Sequence, residues 1–171
     1  RKLVEEIASI FRYKAEEKKL MFELHCPNDL PIIILDTLRL RQILLNLIGN
    51  AFKFTNKGSI TFSIAFNNVN PATRRGDLIL AVADTGIGIS KESQEKLFMP
   101  FVQQYAARDA NVYKGTGLGL AISQRLATRM GGSIQLESEP EKGSTFTLHL
   151  AHLEYESPRH EKTPPQQQIP V

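Results

Sequence analysis

In the stretch SITFSIAF, Ile60, Phe62, Ile64 and Phe66 alternate strictly with small or polar residues. Successive side chains of a strand point to opposite faces, so this segment has one face to bury and one to leave open. The apolar run LILAVAD, residues 78–84, predicts a second strand, paired with the first as a hairpin across the polar loop NNVNPATRRGD. A sheet with one dry face needs helices on that face alone.

The helices are legible on either side. Residues 1–18 predict a helix with Leu3, Ile7, Ile10, Phe11 and Ala15 on one face. Leu20, Phe22 and Leu24 then alternate into a strand that Pro27-Asn28-Asp29 stops, and PIIIL predicts a short buried extended piece. A helix over 37–54 carries Leu40, Ile43, Leu44, Leu47, Ile48 and Ala51 at helical spacing, with Asp36 or Thr37 able to cap it. Lys57-Gly58 reads as a turn. A short helix is predicted over 91–97, capped by Ser90, and residues 102–116 read as a flexible loop. A helix over 117–130 ends at Gly131-Gly132, and SIQLES and STFTLHLA form two more strands around a turn at Gly143.

These elements mix without the βαβα alternation of a doubly wound sheet. The fold class predicted is α+β: a two-layer α/β sandwich with a mixed, mostly antiparallel sheet covered on one face by helices. Residues 1–153 form the predicted domain. From Glu154 the chain is poor in apolar residues and rich in Pro and Gln, so 154–171 reads as a linker or disordered tail.

Composition excludes several functions. With 171 residues, of which 42% are hydrophobic, the chain can bury one ordinary core. The net charge of +3 is mild, and only Arg39/Arg41 and Arg74-Arg75 group basic residues, so no nucleic-acid partner is expected. A single cysteine, Cys26, forbids an internal disulfide and points to a reducing compartment, the cytoplasm. No run approaches the ~20 apolar residues that cross a bilayer, and no membrane contact by this domain is expected. The chain starts inside a predicted helix, from which a piece of something longer is expected.

Two glycine runs remain, DTGIGIS and KGTGLGLAI. The second is not the dinucleotide fingerprint, which needs a glycine where Leu120 stands, and it lacks the Gly-Lys-Ser/Thr of a P-loop. By themselves such runs are tight turns and helix stops. A third element changes this. In the 37–54 helix, Asn46, Asn50 and Lys53 fall on one face, apart from the apolar set. Buried amides without partners cost roughly 1–3 kcal/mol each, so this face requires something to bond.

Four blocks in order, NLIGNAFKFT, DTGIGIS, LFMPFVQ and GTGLGLAI, resemble the N, G1, F and G2 boxes of the ATP-binding domain of sensor histidine kinases. That family shares a superfamily with gyrase, heat-shock chaperone and mismatch-repair ATPases. The resemblance runs from about residue 1 to 151 and implies a Bergerat-type ATP-binding fold.

By that resemblance, Asp84 accepts a hydrogen bond from the exocyclic amine of adenine. Guanine presents an oxygen there, and a charge-assisted bond of roughly 1.5–3 kcal/mol is worth about tenfold to a hundredfold in binding. Gly86 and Gly88 let the chain pass close to the base, and Ile89 and Leu120 pack on the ring. Asn50 matches the Mg²⁺ ligand and Asn46 assists through a water. Lys53 matches a phosphate contact, and Phe54 an aromatic near base or ribose. Gly115, Thr116, Gly117, Leu118 and Gly119 form the hinge of a lid and bring a helix N-terminus to the triphosphate. Lys114 is a further phosphate contact, Phe98 and Phe101 anchor the lid, and Thr145 reaches the adenine pocket through water.

The resemblance also bears on the chemistry. Gyrase- and chaperone-type ATPases carry a water-activating glutamate where this chain has Asn46, and an amide cannot act as a general base. Rapid hydrolysis is therefore disfavoured and transfer of the γ-phosphate to a histidine is expected. The acceptor is expected on a separate helical-hairpin dimerisation domain, in a segment resembling His-Glu-Leu-Arg-Thr-Pro, which this chain lacks. Its histidines, His25, His149, His152 and His160, do not match that setting. The implied partners are that hairpin and a downstream response-regulator receiver domain, and the tail suits a linker to a receiver, as in hybrid kinases. The full-length kinase would carry this domain in the cytoplasm, with or without a membrane anchor. A regulatory module that holds ATP without transferring phosphate is the alternative.

Overall fold

The computed structural model describes residues 1–100 and 117–156. Its elements are α1 (Lys2–Lys18), β1 (Met21–His25), β2 (Ile32–Ile33), α2 (Thr37–Phe54), β3 (Ser59–Asn70), β4 (Arg75–Asp84), α3 (Lys91–Gln94), α4 (Gly119–Arg129), β5 (Gly132–Glu139) and β6 (Gly143–Glu156). The strands form a single sheet in the order β1-β3-β4-β6-β2, with β5 pairing to the first part of β6. Only β1 and β3 run parallel; every other pairing is antiparallel. The expected α+β sandwich with a mixed, mostly antiparallel sheet is the observed one.

Register explains where the core lies. Phe62, Val82 and Phe146 stand side by side across β3, β4 and β6, and so do Ile64, Leu80 and Leu148. All six are buried. They share one face of the pleat and meet the buried sides of α1 and α2, including Ile7, Phe11, Leu44, Leu47 and Ile48. Phe11 stacks on Phe52 with ring centroids 5.2 Å apart, which joins α1 to α2 beneath β1. The opposite face carries Thr61, Ser63, Ala81, Ala83, Thr145 and Thr147, all half-exposed. No described helix is long and apolar enough to cross a membrane.

Five local expectations are corrected. In α1 the buried stripe is Val4, Ile7, Ala8, Phe11 and Ala15, while Ile10 is 54% exposed. Val4 and Ala8 thus take the buried places that the spacing assigned to Leu3 and Ile10. The PIIIL piece is only half-covered: its two-residue strand pairs the end of β6, and Ile32 and Ile34 are exposed. The expected polar loop 67–77 is largely ladder, because β3 runs to Asn70 and β4 starts at Arg75. Backbone pairing needs no apolar side chains, so the hairpin continues into solvent. There Asp77 takes hydrogen bonds from Asn68 Nδ2 at 2.7 Å and the His152 backbone N–H at 2.8 Å, tying together the bulged ends of three strands. The helix expected over 91–97 is α over Lys91–Gln94 only, and the Ser90 side chain bonds Ser93 Oγ rather than a free helical N–H. Strand β6 also continues to Glu156, so the ladder extends past the boundary composition places at 153.

Candidate functional site

Helix α2 supplies one wall. Asp36 caps it, its Oδ1 accepting from the Arg39 N–H at 3.0 Å. Its apolar stripe from Leu40 to Phe52 is buried, which turns Asn46, Asn50 and Lys53 towards the flank, where all three are half-buried. Lys53 Nζ lies 5.2 Å from the centre of the Phe54 ring, and burial lowers its pKa. The face read in the sequence exists, and one of its members also joins α2 to α4. Asn46 Nδ2 donates to Ser123 Oγ on α4 at 2.9 Å, so Asn46 serves the contact between the two helices. Gly119, the first residue of α4, passes so close to the Asn46 amide that a Cβ would collide with its oxygen.

The end of β4 supplies the floor. Leu78, Leu80 and Val82 occupy alternate positions on the buried face, and the next inward position is Asp84. It lies in the row Ile60–Asp84–Ser144–Ser138, the last row of the sheet on that face. The DTGIGIS loop is fastened on three sides. The Thr85 N–H donates to Ser59 O at 3.1 Å and the Ile87 N–H to Phe54 O at 3.3 Å, and Ile87 O accepts from the Glu141 N–H at 2.8 Å. Gly88 has φ +65°, and a Cβ there would meet the Glu139 carbonyl, so no other residue fits.

Between floor and wall is a cavity whose polar groups are Asn50, Asp84 and Ser144. Ala51, Phe54, Ile87, Ile89, Leu97, Leu120 and Phe146 supply the apolar lining. An apolar slot with few convergent polar groups is the usual form of a site for a flat, partly polar ligand. Burial pushes the Asp84 carboxyl above its ordinary pKa, while the backbone N–H groups of Gly86 and Ser144 and the Thr55 hydroxyl pull it back. The Gly86 bond to Asp84 Oδ1 measures 2.8 Å. Thr55 Oγ1 is fully enclosed and meets no partner in hydrogen-bonding geometry, yet it lies near enough to favour the charged carboxylate. We read it as an unmade bond, since burial leaves it no water.

The other expected residues sort as follows. Gly86 belongs to the loop beside the cavity, Gly88 lies in the cavity lining, and Phe98 packs against the core. Gly117 and Leu118 lead into α4, whose second residue, Leu120, brings the helix N-terminus to the cavity edge. Phe101, Lys114, Gly115, Thr116 and His160 lie outside the described residues. Thr145 is displaced by one position: it sits on the outer face of β6, and Ser144 lines the cavity instead. Inward parity from Phe146, Leu148 and Leu150 was the signal that would have selected Ser144. Ala51, Ile87, Leu97, Ser144 and Phe146 are lining that the sequence reading does not assign to the site, and neither does it assign Gln94, whose Nε2 joins Ile89 O and Ser138 O at 2.7 and 3.0 Å. Of the histidines, His25 is an exposed partner of Glu23 at 3.3 Å, and His149 and His152 lie on β6 away from the cavity lining.

Residues 35–154 match the family described as "Histidine kinase-, DNA gyrase B-, and HSP90-like ATPase". The chain is 37% identical over 151 residues to the signal transduction histidine-protein kinase BarA of Escherichia coli strain K12, covering 88% of this chain but 16% of BarA. Among solved structures it is similar to full-length ShkA in complex with AMPPNP, with a TM-score of 0.74 and 32% identity over 91% of this chain and 30% of that one. It is also similar to the nucleotide-free catalytic domain of the histidine kinase ThkA, with a TM-score of 0.72 and 26% identity, covering 88% of this chain and 92% of that one. The chain thus spans under a fifth of the length of its curated relative.

Proposed function

The chain belongs to the family of histidine kinase-, DNA gyrase B- and HSP90-like ATPases, and from that membership we propose that it binds MgATP and donates the γ-phosphate to a histidine on a separate dimerisation hairpin. The observation that carries this reading is the cavity shared by Asp84 and Asn50. In it Asp84 accepts from the adenine amine, and Phe54, Ile89 and Leu120 flank the ring. The similarity to ShkA, solved with AMPPNP, supports a nucleotide in this position.

Asn50 fits a Mg²⁺ site by the chemistry of its donor: a hard carboxamide oxygen at the cavity wall, where Mg²⁺ usually takes one or two protein oxygens and completes its shell with phosphate and water. When bound, the ion neutralises charge on the phosphates. Lys53 adds positive charge at the same flank of α2. The first N–H groups of α4 lack acceptors within the helix, and their dipole favours the phosphates at its N-terminus. Lys114, Gly115 and Thr116 belong to the lid side of the same reading.

The chain orients the triphosphate and compensates its charge, the larger share of phosphoryl-transfer catalysis. It does not activate water. Asn46 is an amide, and its Nδ2 is already engaged with Ser123. The receiver of the phosphoryl group and its base belong to the hairpin, and a response-regulator receiver domain takes the group onward. Residues 1–153 act as the catalytic unit on the cytoplasmic side, with the Pro- and Gln-rich tail as a linker to a receiver, the arrangement of a hybrid kinase.

The test is to mix this domain with the histidine-bearing hairpin of the same full-length protein and γ-labelled ATP. Acid-labile label on the hairpin is the expected result. Nucleotide binding without label under any condition would leave a regulatory module, and no binding at all would remove the reading altogether.

A further inference from the structure

Thr55 is the residue that leaves α2, with φ −106° and ψ 115°, and it is fully buried. Its N–H donates to Ala51 O at 3.0 Å. Its hydroxyl is, among the described residues, the one buried side-chain oxygen or nitrogen with no hydrogen-bond partner. A threonine at a helix end ordinarily turns its hydroxyl to a carbonyl one turn back, and this one does not. The Asp84 carboxylate lies near enough to feel it and is able to accept. Asp84 Oδ1 takes the Gly86 N–H at 2.8 Å, and the Ser144 backbone N–H also faces the carboxylate. An ionised carboxylate has room for about four donors, so places remain for a hydroxyl and for a ligand.

We propose that Thr55 is a positioning residue of the nucleotide site, its hydroxyl donating to the Asp84 carboxylate and holding it in the orientation that receives the adenine amine. This rests on the reading of Asp84 given above. Once a base covers the cavity, the hydroxyl and the carboxylate are enclosed together, and each is the other's available partner. A valine fills the same volume without the donor. The loss then falls on ligands that use the carboxylate, and spares those that fill the slot without an amine.

Calorimetric titration of MgATP and of the Mg²⁺ complex of purine riboside triphosphate, which carries hydrogen where adenine has its amine, separates the two cases. In the wild type ATP binds more tightly than the amine-free analogue. Thr55→Val weakens ATP by about tenfold and the analogue by under about twofold, and Thr55→Ser recovers most of the ATP affinity. Equal losses for both nucleotides, or no loss for either, would overturn the role of Thr55. A wild type with no preference between the two would instead overturn the reading of Asp84, and the inference with it. Should Thr55→Val lack a cooperative melting transition, a crystal structure of the wild type with a non-hydrolysable ATP analogue decides: Thr55 Oγ1 within about 3.2 Å of an Asp84 oxygen supports the role, and a hydroxyl bonded to any other group ends it.

Discussion

Asp84 and Ser144 face each other across β4 and β6 on the last buried row of the sheet. Every row below it is apolar on this face, so the pair is the point where the core gives way to a polar floor. Ser138 Oγ donates to Gly143 O at 2.9 Å and lies 2.9 Å from Ser144 Oγ. With the Ser138 proton committed, the Ser144 hydroxyl donates to Ser138, and its own oxygen is left as an acceptor beside the carboxylate. The floor is thus acceptor-rich, the pattern that selects a ligand edge bearing hydrogen-bond donors.

Neighbouring residues on β6 should therefore behave oppositely. Ser144→Ala removes an acceptor from the cavity and is expected to weaken MgATP binding by about threefold to tenfold. Thr145→Ala, on the outer face, is expected to change it by under about twofold. Calorimetric affinities of the two variants check this, and a larger loss at Thr145 would mean that the strand's inward parity does not govern the site.

Asp84 is held in a place that disfavours its charge, so function and stability should part company there. Asp84→Asn is expected to remove most of the preference for MgATP over MgGTP, because a carboxamide also offers guanine's oxygen a donor. The nucleotide-free variant should melt no lower than the wild type, and up to about 4 °C higher, since a buried charge has been removed from a domain of this size. Matched titrations and thermal scans test both halves, and a variant with intact preference would show the base lies elsewhere.

Much of this was legible in the chain. The helix read over 37–54 is α2 with the same bounds, because apolar spacing, an aspartate cap and a following turn agree there. Asp84 and Asn50 were readable because an acid and an amide interrupt otherwise apolar patterns. What escaped depends on partners distant in sequence. The second partner of Asn46 is of this kind, since only the packing of α4 supplies Ser123. Thr55 could not be distinguished from any threonine at a helix end, since an unmade hydrogen bond exists only once the surroundings are closed. The ladder through Asn67–Asn70 carries one apolar side chain, the exposed Val69, and no alternation, so period-two reading stopped too early.

The Asn46–Ser123 bond predicts a structural coupling. Asn46→Ala and Ser123→Ala should each destabilise the domain by about 1 kcal/mol, and the double variant by less than the sum, with a coupling of roughly 0.5–1.5 kcal/mol. Urea denaturation of the four proteins in the cycle measures it. Strict additivity would mean that the two side chains do not interact in solution.

Acidity supplies a prediction with opposite signs for folding and binding. Burial raises the Asp84 pKa above its ordinary 3.8, so the folded, nucleotide-free domain holds this proton more tightly than the unfolded chain. The stability from that proton is fully present below the unfolded value and is lost as pH rises through the folded one. Binding runs the other way, because the ionised carboxylate is a stronger acceptor for an adenine amine than the protonated acid. The preference for MgATP over purine riboside triphosphate should therefore hold at neutral pH and fall as pH drops through the raised value, beginning at a less acidic pH than an exposed aspartate would give. Taking the ratio of the two affinities cancels protonation of the phosphates, which the nucleotides share. Asp84→Asn should flatten that ratio across the same range, and a wild-type ratio that falls no earlier than an exposed aspartate titrates would mean that the carboxylate does not meet the base.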